Sequence, residues 1–400
     1  MRNLDKILDL EKKYKLIMCL TANENVLSPK IQKVLAFDLG SRYYMGSGIK
    51  GIALFGRNAA FKGMPELDFL IKKSSSFIMD RMNAKYVIYS CLSGVHAMIS
   101  IIITATNVGD VIMSVPSSQG GHFCTKGIIE STSRKHVDTE YDYKIGNFDI
   151  KKIANIVKRE KVKMIYFDVS VYIKPLPIKE IRSLIGDNVI IVYDASHVLG
   201  LIIGNEFQSP LKEGADIICG NTHKTFPGPH KAIVAFKDEE FGKIIDKKIN
   251  ESFVSTVNTG NLITLLMTVM EMKKWGILYS KQIISNSNEL AYRLEKLGFK
   301  VRRASLNKYT YNHQIHVFVN EKREQILEKF LNNNINVSTS GALGGDMFIR
   351  IGVQEITRRG LKERDMSKIA QYIKDVIDGK NIKKNIICFM KNHTKIYYSI

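Results

Sequence analysis

Cysteine is scarce and carries no pattern: Cys19, Cys91, Cys124, Cys219 and Cys388 are five in 400 residues, with none of the paired spacings of a metal ribbon or finger. No metal site is expected, and thiols in apolar runs pack as small hydrophobes in a reducing cytoplasm. Long hydrophobic runs are also missing. Nothing reaches the roughly 18 uninterrupted apolar residues that span a bilayer. Met1 to Leu20 is broken by charge, and its apolar run is too short for a signal peptide; a cytoplasmic protein with no membrane partner is expected. Acidic residues are in deficit, 39 against 59 basic, for a formal charge of +20. The lysines are scattered along helical faces and only Lys380 to Lys395 is concentrated, so the surplus reads as solvated surface, with no nucleic-acid motif beside it. Internal repeats and low-complexity tracts are lacking too.

What is present is enough apolar residue, 45%, for a large domain and a smaller one. The boundaries expected are an N-terminal arm over 1–32, a large domain over 33–250, a linker helix over 251–279, a small C-terminal domain over 280–378 and a basic tail over 379–400. Strand-like runs at Tyr86 to Ser90, Val111 to Val115, Lys163 to Asp168 and Val189 to Tyr193 alternate with helical periods, among them Pro65 to Arg81 and Ile178 to Ile185. That order predicts a mostly parallel sheet between helices, with its functional loops at the carboxyl ends of the strands. Beyond it, helices are expected at 262–274 and 280–297, strands near Val301, at 315–319 and at 348–352, and helices at 323–332 and 362–378.

The chain is organised around Gly220-Asn221-Thr222-His223-Lys224-Thr225-Phe226-Pro227-Gly228-Pro229-His230, a polar turn between the apolar runs 215–219 and 232–236. Lys224 is there either a Schiff-base lysine carrying pyridoxal phosphate or a stray surface lysine. Asp194, at the end of a buried strand, is either a turn residue or the partner of a buried cation. The turn Cys91-Leu92-Ser93-Gly94-Val95-His96-Ala97 enters an apolar helix, an arrangement that suits an anion.

Taken together these segments resemble serine hydroxymethyltransferase, a fold-type-I pyridoxal-phosphate family of the aspartate aminotransferase superfamily, up to about residue 378. The likeness is carried by Leu20-Thr21-Ala22-Asn23-Glu24-Asn25, Ser93-Gly94 with Ala97, Gln119-Gly120-Gly121-His122, Asp194-Ala195-Ser196-His197-Val198-Leu199-Gly200-Leu201, Thr222-His223-Lys224-Thr225 with Gly228-Pro229, Ile349-Arg350-Ile351-Gly352 and Ile356-Thr357-Arg358-Arg359-Gly360. The resemblance implies that Lys224 carries the cofactor, Asp194 pairs with its ring nitrogen, and His197 and Ser170 approach its phenolic oxygen. It gives the phosphate to Ser93, Gly94, Val95 and His223, with Tyr43 and Gly260 reaching across from a second subunit of a homodimer with shared active sites. Arg350, with Asn23 and Tyr43, is assigned to the substrate; His122 is a candidate base, and Gln119 stands where the family's ring-stacking histidine is expected.

The departures concern the reaction. In Tyr43-Tyr44-Met45-Gly46-Ser47-Gly48 a methionine replaces the family's acid/base glutamate, and Phe55 stands at a tyrosine position. His230 replaces an arginine, and the family's glycine-rich loop shrinks to Asn258-Thr259-Gly260. The expectation is an enzyme that makes or breaks the Cα–Cβ bond of a β-hydroxy-amino acid without folate, acting on glycine, serine or threonine and an aldehyde. A folate-dependent hydroxymethyltransferase and an aminotransferase or decarboxylase on the same fold are the alternatives.

Overall fold

The computed structural model describes residues 2–45, 52–55, 59–139, 141–142, 146–343 and 346–400. Gly46, Ser47 and Gly48 of the tyrosine-glycine loop lie outside the described residues, as does the side chain of Phe55. The chain divides into two compact units. One gathers residues 27–170 and 175–277 with Ile400; the other gathers 1–26, 171–174 and 278–399.

The larger unit is built on a seven-stranded sheet. Its strands are β1 (Tyr86–Ile88), β2 (Val111–Ser114), β3 (Lys135–Asp138), β4 (Met164–Phe167), β5 (Ile190–Asp194), β6 (Ile217–Asn221) and β7 (Ala232–Phe236), in the order β1-β7-β6-β5-β4-β2-β3. Only β7 runs against its neighbours, pairing antiparallel with both β6 and β1. The expectation of a mostly parallel sheet therefore holds. Strands covered on both faces carry apolar residues continuously: every residue of β4 and β7 is buried. The core packs Ile101 and Ile102 of the helix Gly94–Ala105 against Ile112, Met164, Val192, Ile217 and Val234 of the sheet.

In the smaller unit a three-stranded antiparallel sheet has β10 (Asp346–Gly352) between β8 (Gln314–Phe318) and β9 (Ser338–Leu343). Arg350 sits in its central strand, opposite His316 on one side and Ser338 on the other. The segment after Met18–Cys19 runs along the same sheet, with Gly352 N–H donating to the Leu20 carbonyl at 2.8 Å. A Cβ at Gly352 would come within 2.5 Å of Ala22 Cα, so this approach requires glycine.

Three local expectations are corrected. The helices expected at 262–274 and 280–297 are one, Thr259–Lys296, 38 residues long. Gly276, which falls between the two expected helices, costs such a helix only about 1 kcal/mol, and a Cβ there would meet the end of the Met272 side chain at 3.1 Å. Val301 forms a single bridge to Val317 rather than a strand. The basic tail holds a helix, Lys383–Lys391, that buries Ile386, Phe389 and Met390. Beyond it the Tyr397 N–H donates to the Arg358 carbonyl at 2.8 Å and the Arg358 guanidinium donates to the Tyr398 carbonyl at 3.1 Å.

Candidate active site

The carboxyl ends of β4, β5 and β6 and the N-terminus of the helix Gly94–Ala105 border one cleft. Lys224, Asp194, His197, His122, Ser170, Gly94 and Val95 all line it. Lys224 is 9% exposed, and its Nζ lies 3.2 Å from His197 Nε2.

Hydrogen bonds tie the lysine loop to the turn after β5. Thr225 Oγ1 donates to the His197 carbonyl at 2.8 Å and accepts from Gly200 N–H at 3.1 Å, and Asn221 N–H donates to Ser196 Oγ at 3.0 Å. A Cβ at Gly200 would sit 2.3 Å from the Thr225 carbonyl oxygen, so only glycine lets the two loops approach this closely. Asp194 Oδ1 accepts from Ser196 N–H at 2.9 Å, and its other oxygen is bonded to nothing among the described residues.

At the helix entrance Ser93 is the N-cap, its Oγ accepting from His96 N–H at 3.1 Å. Gly94 N–H donates to Asn221 Oδ1 at 2.9 Å. A Cβ at Gly94 would lie 2.2 Å from that oxygen, so glycine leaves the room that the Asn221 side chain takes up. His223 stacks on His230 with ring centroids 3.8 Å apart, and its buried Nδ1 has no hydrogen-bond partner among the described residues.

Other expected site residues lie elsewhere. Ser93 and His223 flank the cleft without lining it, and of the Gln119–His122 turn it is His122, not Gln119, that lines the wall. The reason is the turn. Gly120 has φ +97° and Gly121 packs so tightly on Val115 that a Cβ would lie 2.0 Å from its carbonyl oxygen, which reverses the chain between Gln119 and His122. Tyr43 is 52% exposed. It and Gly260 belong to a second cluster, in which Thr259 Oγ1 donates to the Arg42 carbonyl and Gly260 packs on Gly40. In the smaller unit Arg350 donates from Nη2 to Asn23 Oδ1 at 2.9 Å and from Nε to Ser338 Oγ at 3.2 Å. Burial lowers its pKa to about 10. Met98, Asp168, Val169, Ser196 and Asn221 also line the cleft and were missed from the sequence; Asn221 bridges two segments, and Asp168 directly follows a fully buried strand, which was the signal available.

Among the described residues no group of three or more His, Cys, Asp or Glu could hold a metal, and no helix is long and apolar enough to cross a membrane.

Residues 2–373 match the family described as serine hydroxymethyltransferase. The chain belongs to that family. It is 33% identical over 399 residues to a serine hydroxymethyltransferase of Methanocella arvoryzae, covering 94% of this chain and 90% of that one. It is also 33% identical over 366 residues to a fluorothreonine transaldolase of Streptantibioticus cattleyicolor, covering 90% of this chain but 57% of the relative. The crystal structure of L-threonine transaldolase from Pseudomonas fluorescens, in its internal aldimine state, superposes with a TM-score of 0.91 at 26% identity, over 99% of this chain and 92% of that one.

The family is one of fold-type-I pyridoxal-phosphate enzymes, and the cleft fits that cofactor. It offers a buried amine, a carboxylate with an oxygen to spare, a helix N-terminus at Gly94 and, beside it, an imidazole nitrogen unpartnered among the described residues.

The protonation of His223 gives a pH test. Burial, then the charges of His230 and Lys224, push its pKa from 6.5 down to about 3. The unfolded chain takes up this proton below 6.5 and the folded one only near 3. The stability His223 contributes is thus complete above pH 6.5 and is lost as pH falls toward 3. Cofactor-free protein is expected to lose more melting temperature between pH 7 and pH 5 than a His223→Gln variant does; parallel pH slopes would refute the assignment.

Proposed function

We propose that the protein is a pyridoxal-phosphate aldolase or transaldolase that makes or breaks the Cα–Cβ bond of a β-hydroxy-amino acid and exchanges the aldehyde without folate. The observation that carries this reading is Met45, half-buried at the position of the family's acid/base glutamate, where a thioether can neither give nor take a proton. The threonine and fluorothreonine transaldolases among the relatives support it.

In this reading Lys224 is the amine that anchors the cofactor, and Asp194 holds a proton on the pyridine nitrogen. When bound, pyridoxal phosphate joins the amino nitrogen of the substrate and takes up the electron pair released at Cα. The amides at Gly94 and Val95, the Ser93 hydroxyl and His223 hold the phosphate. His122 lays an imidazole against the cofactor, the part that Gln119 was expected to have vacated, so the argument against folate rests on Met45 alone. His197 and Ser170 serve the phenolic oxygen. Arg350, oriented by Asn23 and Ser338, binds the substrate carboxylate in a planar, bidentate way.

Cleavage needs a base for the substrate hydroxyl. Burial lowers the pKa of His122, with Asp194 opposing and Lys224 adding to the shift, so its ring is neutral near pH 7 and can accept that proton.

A homodimer completes the reading. The helix Arg2–Tyr14 leaves Leu4, Ile7 and Leu8 exposed on one face, and Phe37, Leu39 and Tyr43 are exposed in the larger unit; apolar surface of this kind suits a second copy. Tyr43 and Gly260 are given to the partner's phosphate. The compartment is cytoplasmic, and the partners are an amino acid and an aldehyde.

Purified protein is expected to cleave L-threonine or another β-hydroxy-amino acid, and to exchange its aldehyde, at the same rate with and without tetrahydrofolate. Serine cleavage that is fast only with tetrahydrofolate would make it a hydroxymethyltransferase. Arg350→Ala is expected to keep the bound cofactor's absorption spectrum and raise KM for the amino acid by about a hundredfold, the loss of one charge-assisted pair; an unchanged KM rules out the carboxylate role. Sedimentation of the active enzyme is expected to give twice the chain mass, and a fully active monomer would contradict the shared site.

A further inference from the structure

Asp168 is the second carboxylate of the cleft and has no part in the mechanism above. It is 2% exposed, and no cation is bonded to it among the described residues. Its Oδ1 accepts from Val115 N–H at 3.1 Å, and its Oδ2 accepts from His122 N–H at 3.2 Å and from the Thr125 hydroxyl. All three donors lie in the segment that carries His122. Two further contacts bind that segment to the end of β4: Ser170 N–H donates to the Gly120 carbonyl at 2.7 Å, and Gly121 bridges Val169.

We propose that Asp168 is the positioning residue for His122, fixing the Val115–Thr125 turn so that the imidazole faces the cofactor cleft. A buried carboxylate satisfied only by neutral donors is a costly way to close a turn, because burial disfavours the charge more than these bonds favour it. The balance is visible in its pKa, which burial raises to about 7 although Thr125 and Val115 lower it and Asp194 adds to the rise. What the carboxylate supplies that an amide does not is a third acceptance. It takes two backbone N–H groups and a hydroxyl at once, whereas an amide has one oxygen.

The inference rests on the reading of Lys224 as the cofactor's anchor. In Asp168→Asn the single amide oxygen serves either the Val115 N–H or the His122 N–H while the amide nitrogen faces the other, so in either orientation one backbone donor that fixes the turn loses its acceptor. The probe is pyridoxal phosphate itself, titrated into the cofactor-free full-length protein by fluorescence, with the visible circular dichroism of the bound cofactor and KM against kcat as further readouts. Asp168→Asn is expected to weaken cofactor binding about tenfold and to change the dichroism while melting close to the parent. His122→Ala is expected to weaken it at least as much. The double variant should then bind no worse than His122→Ala alone, because both changes remove one contact.

Additive losses, or an Asp168→Asn protein that binds and absorbs like the parent, overturn the proposal. If Asp168→Asn does not fold, Thr125→Val removes one donor to the same oxygen. It should weaken binding in the parent and not in His122→Ala; no loss in the parent, or an equal loss in both, overturns it as well. Failure of the parent to bind pyridoxal phosphate would instead sink the reading of Lys224.

Discussion

The bond from Thr225 Oγ1 to the His197 carbonyl holds together what the rest of the cleft depends on. Strands β5 and β6 deliver Asp194 and Lys224 on adjacent loops, but adjacency in a sheet fixes only the strand ends. Thr225 fixes the loops themselves, by donating to the His197 carbonyl and accepting from the amide of Gly200, whose missing side chain lets the backbones meet. Ala195 N–H adds a 2.7 Å bond to the Cys219 carbonyl. Each bond contributes about 1 kcal/mol net, yet losing one would leave a buried polar group unsatisfied at a larger cost. The lysine is therefore held on a scaffold that cannot relax in small steps.

From that lock the order spreads outward in both directions. Asn221, the last residue of β6 and three before Lys224, accepts from Gly94 N–H and so sets the helix entrance relative to the amine. On the other side the end of β4 holds the His122 turn through Asp168, Val169 and Ser170. The single antiparallel strand β7 has a part in this. Returning directly after β6, it confines Lys224 to a short connection, Thr222 to Lys231, closed by the Lys231 N–H bond to Thr222 Oγ1 at 3.1 Å. A parallel crossover would have needed a dozen or more residues and left the lysine on a longer tether.

Much of this was legible in the chain. Strands buried on both faces read as unbroken apolar runs, so the edges of β5, β6 and β7 and the polar turns between them stand out by eye. Arg350 was legible as a cation inside an apolar strand. What could not be read depends on backbone direction. Whether Gln119 or His122 faces the cleft is decided by the positive φ of Gly120 and the tight seat of Gly121, and a list of residues does not contain that reversal. The continuous helix Thr259–Lys296 was read as two because the stretch between them holds Gly276, whose cost of about 1 kcal/mol is too small to end a helix of 38 residues. The helix in the tail was overlooked because the segment was read by its charge, while Ile386, Phe389 and Met390 recur at helical spacing.

The same burial that builds the cleft also sorts its protons. His122 and His223 both have pKa values lowered by desolvation, so each is a neutral ring near pH 7. The two carboxylates are separated by their partners: both oxygens of Asp168 are taken up by the Val115–Thr125 turn, while Asp194 keeps one oxygen for a ligand. A site that holds neutral imidazoles beside one available carboxylate is suited to taking a proton from a substrate hydroxyl and stabilising a protonated pyridine. In the proposed reading Met45, standing at the position of the family's glutamate, is what sets the chemistry apart from one-carbon transfer to folate. The departures in sequence and the electrostatics of the fold thus favour the same chemistry, cleavage and re-formation of a Cα–Cβ bond with an aldehyde as the exchanged partner.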